Sequence, residues 1–281
     1  MSLMAVAFIL TSCVDAKDEG VSNAIHVRTG GAGDGSSWEE ALGSLQDALA
    51  KAVAGDEIWV ASGTYYPSED DASVSFNMKE DVSLYGGFKG DEKSLRDRDW
   101  ESNKTILSGE IGDKTTTGDN TNHIVIAANG GLDGFTITGA YGGRNRGPQT
   151  GGPQEGRASG GEPQAGKSSG KSGPSVGHMT PDAIASGGLS SGNGGGIAIW
   201  QVSPTIRNCT ISDNQAGKGG GFYIVGKRFG STDEADEVLP VFINCTVASN
   251  TGGGRGGGGA MDFGAKAFFI YCRFIDYVCT G

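Results

Sequence analysis

The residues of this chain that could do chemistry come in a repeated phrase. Residues 206–214 read IRNCTISDN and residues 242–250 read FINCTVASN; a third version at 269–277, FIYCRFIDY, keeps the cysteine and puts Tyr271 and Tyr277 where the asparagines stood. Cys209, Cys245 and Cys272 therefore occupy equivalent places, which raises zinc and disulfides as possibilities. No C-x-x-C pair accompanies them, and His26, His123 and His178 lie outside the cysteine-bearing repeats, so no zinc ligand set assembles. If the phrases stack at the ~4.8 Å interval of paired strands, a disulfide could span that step. Identical stacked side chains point the same way, however, and small buried free thiols are the expectation. No metal and no cofactor is expected.

The same phrase aligns Asp213, Ser249 and Asp276. Two carboxylates two rungs apart, about 10 Å, come near the upper end of the ~6.5–9.5 Å separation of inverting glycosidases. Aspartate beside asparagine at a bend also has a purely backbone reason, and turn residues are the expectation. Arg207 and Arg273 share no column, so no basic cleft accumulates. No catalytic residue is assigned; an acidic cluster for glycan cleavage would have to come from Glu69, Asp70, Asp71, Asp113 and Asp119. Residues 161–168, GEPQAGKS, fit the phosphate-binding pattern G-x-x-x-x-G-K-S. That chemistry needs a strand entering the loop and a helix leaving it, and neither flank supplies one. No nucleotide partner is expected. A formal charge of −11 argues against nucleic acid, whose phosphates need clustered Lys and Arg.

These residues need elements to position them. Two short strands per turn, coiling so that each pairs in parallel with its equivalent one turn on, would put Ile206 over Phe242 and Phe269, and Ile211 over Val247 and Phe274. Asn208 and Asn244 would sit at the bend between strands, where asparagine tolerates a left-handed backbone and its amide can bond to the next rung, satisfying a buried bend. GGGIAIW, GGGFYIV and GGGAMDF repeat alongside, and the spacing of 36 residues from Asn208 to Asn244 is that of a solenoid. Upstream, Ser37 and Glu40 have capping-box spacing, and Trp38, Leu42, Leu45, Leu49 and Val53 form one apolar face, which predicts a helix over 37–54 stopped by Gly55. IHVRT, DEIWVASGTYY, VSLYGGF, KTILSG, HIVIAA and LDGFTITG read as strands.

The domain reading follows. Residues 1–13, MSLMAVAFILTSC, read as a signal sequence too short to span a bilayer, and 14–23 as a tether. LTSC resembles a bacterial lipobox, which would make Cys13 the lipidation site; the plain alternative is a frayed apolar terminus. Lys17-Asp18-Glu19 resembles the signal that sends Bacteroidetes lipoproteins to the outer surface. Residues 24–140 hold an N-terminal cap and the first coils. Residues 141–193 are a Gly-, Ser- and Pro-rich polar insertion without the apolar residues of a core, expected to be disordered. Residues 194–281 carry the repeats and stop in mid-coil, as a truncated C-terminus would.

GDGSSWEEALGSLQDALAKAVAGDEIWVASGTYYP, VSLYGGFKGDE, TILSGEIGD and LDGFTITG, followed by the GGG and NCT repeats, together resemble bacterial right-handed parallel β-helix proteins of the pectin-lyase-like fold. The repeats are similar to those of chlamydial polymorphic outer-membrane proteins. The resemblance implies an all-β right-handed parallel β-helix with an N-terminal capping helix. These motifs are specific for fold and not for activity; with the Cys13 lipobox as tether, the first functional reading is a non-catalytic lipoprotein on the outer-membrane surface of a Gram-negative bacterium, contacting glycans or host surface proteins. A polysaccharide lyase or glycoside hydrolase of the same fold is the alternative.

Overall fold

A computed structural model describes residues 24–142, 192–226 and 237–280. Cys13, Lys17-Asp18-Glu19, the GEPQAGKS stretch with nearly all of the expected insertion, and His178 lie outside the described residues.

Among the described residues, 22 short strands form four sheets, and the pairings within each are parallel. The first sheet runs Ala24–Val27, Glu57–Ala61, Ser83–Phe88, Gly131–Asp133, Thr205–Arg207, Val241–Ile243, Phe268–Ile270. The second runs Gly63–Tyr65, Thr105–Ser108, Phe135–Thr138, Thr210–Ser212, Thr246–Ala248, Arg273–Ile275. A third contains Phe76–Asn77, Val125–Ala127, Ile197–Trp200, Phe222–Val225 and Gly259–Asp262, and a fourth Tyr141–Gly142, Gln215–Lys218, Thr251–Arg255 and Val278–Cys279. In every sheet the spatial order is the chain order, coil after coil. The molecule is a parallel β-helix with as many as four strands per turn rather than the two expected. The phrase IRNCTISDN alone supplies two, because Asn208 at φ 49° breaks Thr205–Arg207 from Thr210–Ser212.

Like residues stack in register. Ile25, Ile58, Leu84, Leu132, Ile206, Phe242 and Phe269 form one inward column. Tyr65, Leu107, Ile137, Ile211, Val247 and Phe274 form another. Most are fully buried, and each such side chain contributes roughly 1.5–3 kcal/mol of transfer free energy. Toward the later coils the interior is aromatic: Phe242 stacks on Phe269 at 5.0 Å, and Phe222 fills the space above Gly259.

The helix is shorter than its periodicity predicts, spanning Leu45–Lys51 with the Ser44 side chain accepting from the Asp47 N–H. Residues 38–43 instead hydrogen-bond to the first strand: Leu42 N–H donates to the His26 carbonyl (2.9 Å) and Arg28 N–H to the Leu42 carbonyl (2.9 Å). Those backbone bonds outcompete helix propagation, and Val53 is left exposed rather than on the apolar face. Trp38 turns to the outside of the first sheet, where it packs with His26 (4.7 Å), Trp59 and Phe88 in a second, external apolar cluster. The helix itself packs against the first strands of the coil, the place of a cap.

Candidate functional site

The first corner, between the first and second sheets, is set by backbone conformation. Asn208, Asn244 and Tyr271 have φ of 49°, 53° and 54°, and Gly134 holds the equivalent place at 86°. Asn244 Nδ2 donates to Asn208 Oδ1 (2.8 Å), and Asn208 Nδ2 donates to Asp133 Oδ1 (2.7 Å). This ladder runs along the outside, with Asn244 exposed, and not through a buried bend. Its upstream end is anchored. Asp133 Oδ2 meets Arg98 Nη2 at 2.9 Å, both side chains about nine-tenths covered, while Arg98 Nη1 donates to the Gly86 carbonyl (2.9 Å) and the guanidinium lies over Tyr85 and Trp100. A Cβ on Gly134 would stand 2.8 Å from Arg98 Nη1, so glycine is required where the arginine crosses the corner.

The buried amide ladder is one corner further on. Asn214 and Asn250 are 1% and 0% exposed, and they are the second asparagines of the repeated phrase. Asn214 Oδ1 accepts from the Ala140 N–H (3.1 Å), and Asn214 Nδ2 donates to the Ile137 carbonyl (3.0 Å) and to Asn250 Oδ1 (3.1 Å). Asn250 Oδ1 also accepts the Asn214 backbone N–H (3.0 Å), and Asn250 Nδ2 donates to the Ile211 carbonyl (2.8 Å). The glycine triplets explain themselves here. A Cβ on Gly196 would lie 3.0 Å from Asn214 Nδ2, and one on Gly221 would lie 3.0 Å from Asn250 Nδ2 and 2.3 Å from the Gly258 carbonyl. The two repeated phrases therefore interlock: amides project inward at one corner, and bare backbone passes over them.

Cys209, Cys245 and Cys272 stand next to the first corner as free thiols, the first two buried and Cys272 partly so. Each Sγ touches the carbonyl two residues before it and a carbonyl of the preceding coil: Arg207 and Leu132 for Cys209, Ile243 and Ile206 for Cys245, Ile270 and Phe242 for Cys272. Burial pushes the Cys209 thiol well above its ordinary range.

Asp213, Ser249 and Asp276 form the outer column of the second corner at φ 57°, 54° and 50°, each exposed. The strand register separates the two aspartates by two rungs. The loops after Tyr65 and Ser108 do come together: Gly112 N–H donates to the Glu69 carbonyl and Asn122 N–H to the Ala72 carbonyl, each at 2.8 Å. Their carboxylates fold their own turns. Asp71 accepts from Ser73, Asp113 from Thr115, and Asp119 from the Asp113 N–H and Thr116, bonds that hold these exposed carboxyls below their ordinary range. Glu69 reaches the cluster through its backbone; Asp70 donates its N–H to Ser68. Among the described residues, no three His, Cys, Asp or Glu side chains converge as a metal-binding group. His123 is buried, its Nδ1 2.8 Å from the Gly194 carbonyl, and desolvation holds its pKa below the ordinary value.

The second sheet also has an outer face. Between its inward columns, Thr64, Ile106, Thr136, Thr210, Thr246 and Arg273 stand in one register, and Ser108, Thr138, Ser212, Ala248 and Ile275 in the next. Over five coils this face carries hydroxyls and methyls and no ionisable group before Arg273.

Stacked parallel coils, inward apolar columns and an internal amide ladder define a parallel β-helix protein. The model of one family, described as "Protein of unknown function (DUF1565)", matches residues 29–254, and the chain belongs to that family. No curated protein and no solved structure matches the chain.

Proposed function

We propose that this protein is a non-catalytic β-helix of the bacterial cell surface, lipid-anchored through Cys13 in the outer membrane, and that it acts in adhesion by binding glycans. The observation that carries the reading is the outer face of the second sheet, where Thr64, Thr136, Thr138, Thr210, Ser212 and Thr246 stand in register on a rigid coil. Strand pairing repeats these hydroxyls every ~4.8 Å along the axis, and the pleat repeats them every ~6.6 Å across it. A flat, uncharged lattice of donors and acceptors on a chain of net charge −11 suits neutral, repeating polymers of hydroxyls. The hydrogen bonds of the Asp71, Asp113 and Asp119 carboxylates are consistent with a binding role, since these three are committed to their own turns.

The test is incubation of the full chain with pectic, uronate-containing and host glycans, with and without calcium. Retention of neutral glycans without new reducing ends or unsaturated products is expected, and Thr210→Lys with Thr246→Lys should abolish it. Cleavage products would replace this reading with the lyase or hydrolase alternative, drawn from Glu69, Asp113 and Asp119. Incorporation of a labelled fatty acid in the native host, lost in Cys13→Ala, tests the anchor and the location.

A further inference from the structure

We propose that the outer face of the second sheet takes its glycan as a fully extended, equatorially linked neutral chain lying along the coil axis, one sugar to each coil; this rests on the glycan-binding reading above. The direction comes from the dimensions of the face. Each strand offers two outward positions before a corner, about 6.6 Å of backbone, whereas the column from Thr64 to Thr246 crosses four strand intervals, about 19 Å. No register shift interrupts that column, while the first and fourth sheets each carry one, between Trp59 and Ala61 and between Ala216 and Lys218. The long, unbroken direction of the face is therefore the axis.

The hydroxyls along it are open. Buried Ser75, Thr105 and Thr121 donate theirs to backbone carbonyls, and Ser108 Oγ accepts from the Glu110 N–H. Thr64, Thr136, Thr138, Thr210, Ser212 and Thr246 are only partly buried, and among the described residues none of their hydroxyls has a protein partner. Because they stand in register, their donors and acceptors recur at the ~4.8 Å strand interval, and a polymer that meets them along the row must repeat at the same step. A pyranose linked equatorially at both ends spans close to one such interval; an axial linkage curls the chain away from a straight row within a few sugars. The threonine methyls and Ile106 lie among the hydroxyls and suit the apolar faces of sugar rings. Both rims belong to the positive-φ corners, Asn208 and Asn244 on one side, Asp213 and Ser249 on the other. Their oxygens accept from sugar hydroxyls, and the exposed Asp213 carboxylate turns away a uronate chain.

The test is calorimetric titration of the full chain with cellohexaose and maltohexaose, which carry the same glucose units and hydroxyls and differ in linkage alone. Cellohexaose is expected to bind about tenfold more tightly or better, with affinity rising from cellobiose through cellotetraose to cellohexaose as more coils are engaged. Thr136→Val with Thr210→Val keeps the β-branched shape at two outward positions and removes two hydrogen bonds, which should weaken cellohexaose about tenfold. Equal affinity for the two hexaoses, an affinity that stops rising at the disaccharide, or retention of other neutral glycans with neither hexaose bound would overturn the axial, extended chain and leave glycan binding in place. Failure of every neutral glycan to bind would overturn the reading beneath it. The comparison of the two hexaoses on the parent chain decides the matter if the double variant fails to fold.

Discussion

Replacing Asn250 by alanine removes the amide on which two coils depend. Asn250 Oδ1 accepts from both the backbone N–H and the side-chain Nδ2 of Asn214, and its Nδ2 donates to the Ile211 carbonyl, all at 3.1 Å or less and out of reach of water. The alanine variant leaves a buried N–H and a buried carbonyl without these partners, and each costs about 1–3 kcal/mol. A loss of about 3 kcal/mol or more is expected, a large share of the stability of an ordinary domain. The control is Asn244→Gly on the outer ladder. Glycine is at home at φ 53°, and solvent replaces the 2.8 Å bond to Asn208, so the expected cost is only about 0.5 kcal/mol. Urea unfolding followed by far-ultraviolet circular dichroism, with the slope m held common, gives both values. If Asn250→Ala shifts the midpoint no further than Asn244→Gly, the inner ladder is not what holds these coils together.

Two more outcomes follow from buried charge. Arg98→Met strands Asp133 among Tyr85, Trp100 and the corner backbone, and an uncompensated buried carboxylate should cost about 3–5 kcal/mol; Arg98→Met with Asp133→Asn should recover part of that loss in the same unfolding assay. His123 is held neutral by burial, so its folded pKa lies below the ordinary 6.5 and the unfolded chain binds the proton first. Its contribution is fully present above pH 6.5 and is lost as pH falls from there through the lowered folded value. The midpoint of the native chain should therefore drop across that window more steeply than that of His123→Gln; equal slopes would remove the histidine from the account.

The fold was legible because the periodic phrase carries its own register. Ile206, Phe242 and Phe269 could be aligned by eye, and the pairing follows that alignment residue by residue. Asn208 and Asn244 were legible as corners for a local reason, since left-handed backbone selects asparagine and glycine. The start of the helix is not legible in the chain, because Ser37 and Ser44 offer similar caps, and the choice rests on whether Leu42 bonds to the first strand, a contact between distant segments. The Arg98–Asp133 pair had no signal in the chain, as its members stand 35 positions apart in unrelated sequence.

The stacking is written in the chain: equal residues at equal places in successive turns can bury one another only by lying in register. The chain also fixes where it bends, through residues that accept positive φ. The tertiary structure alone decided which asparagine faces inward. Asn208 and Asn214 are six residues apart in one phrase and chemically identical, yet the first lies outside at a corner shared with Arg98 and the second inside beneath Gly196. Direction at a corner depends on what passes over it, and what passes over it comes from another part of the coil.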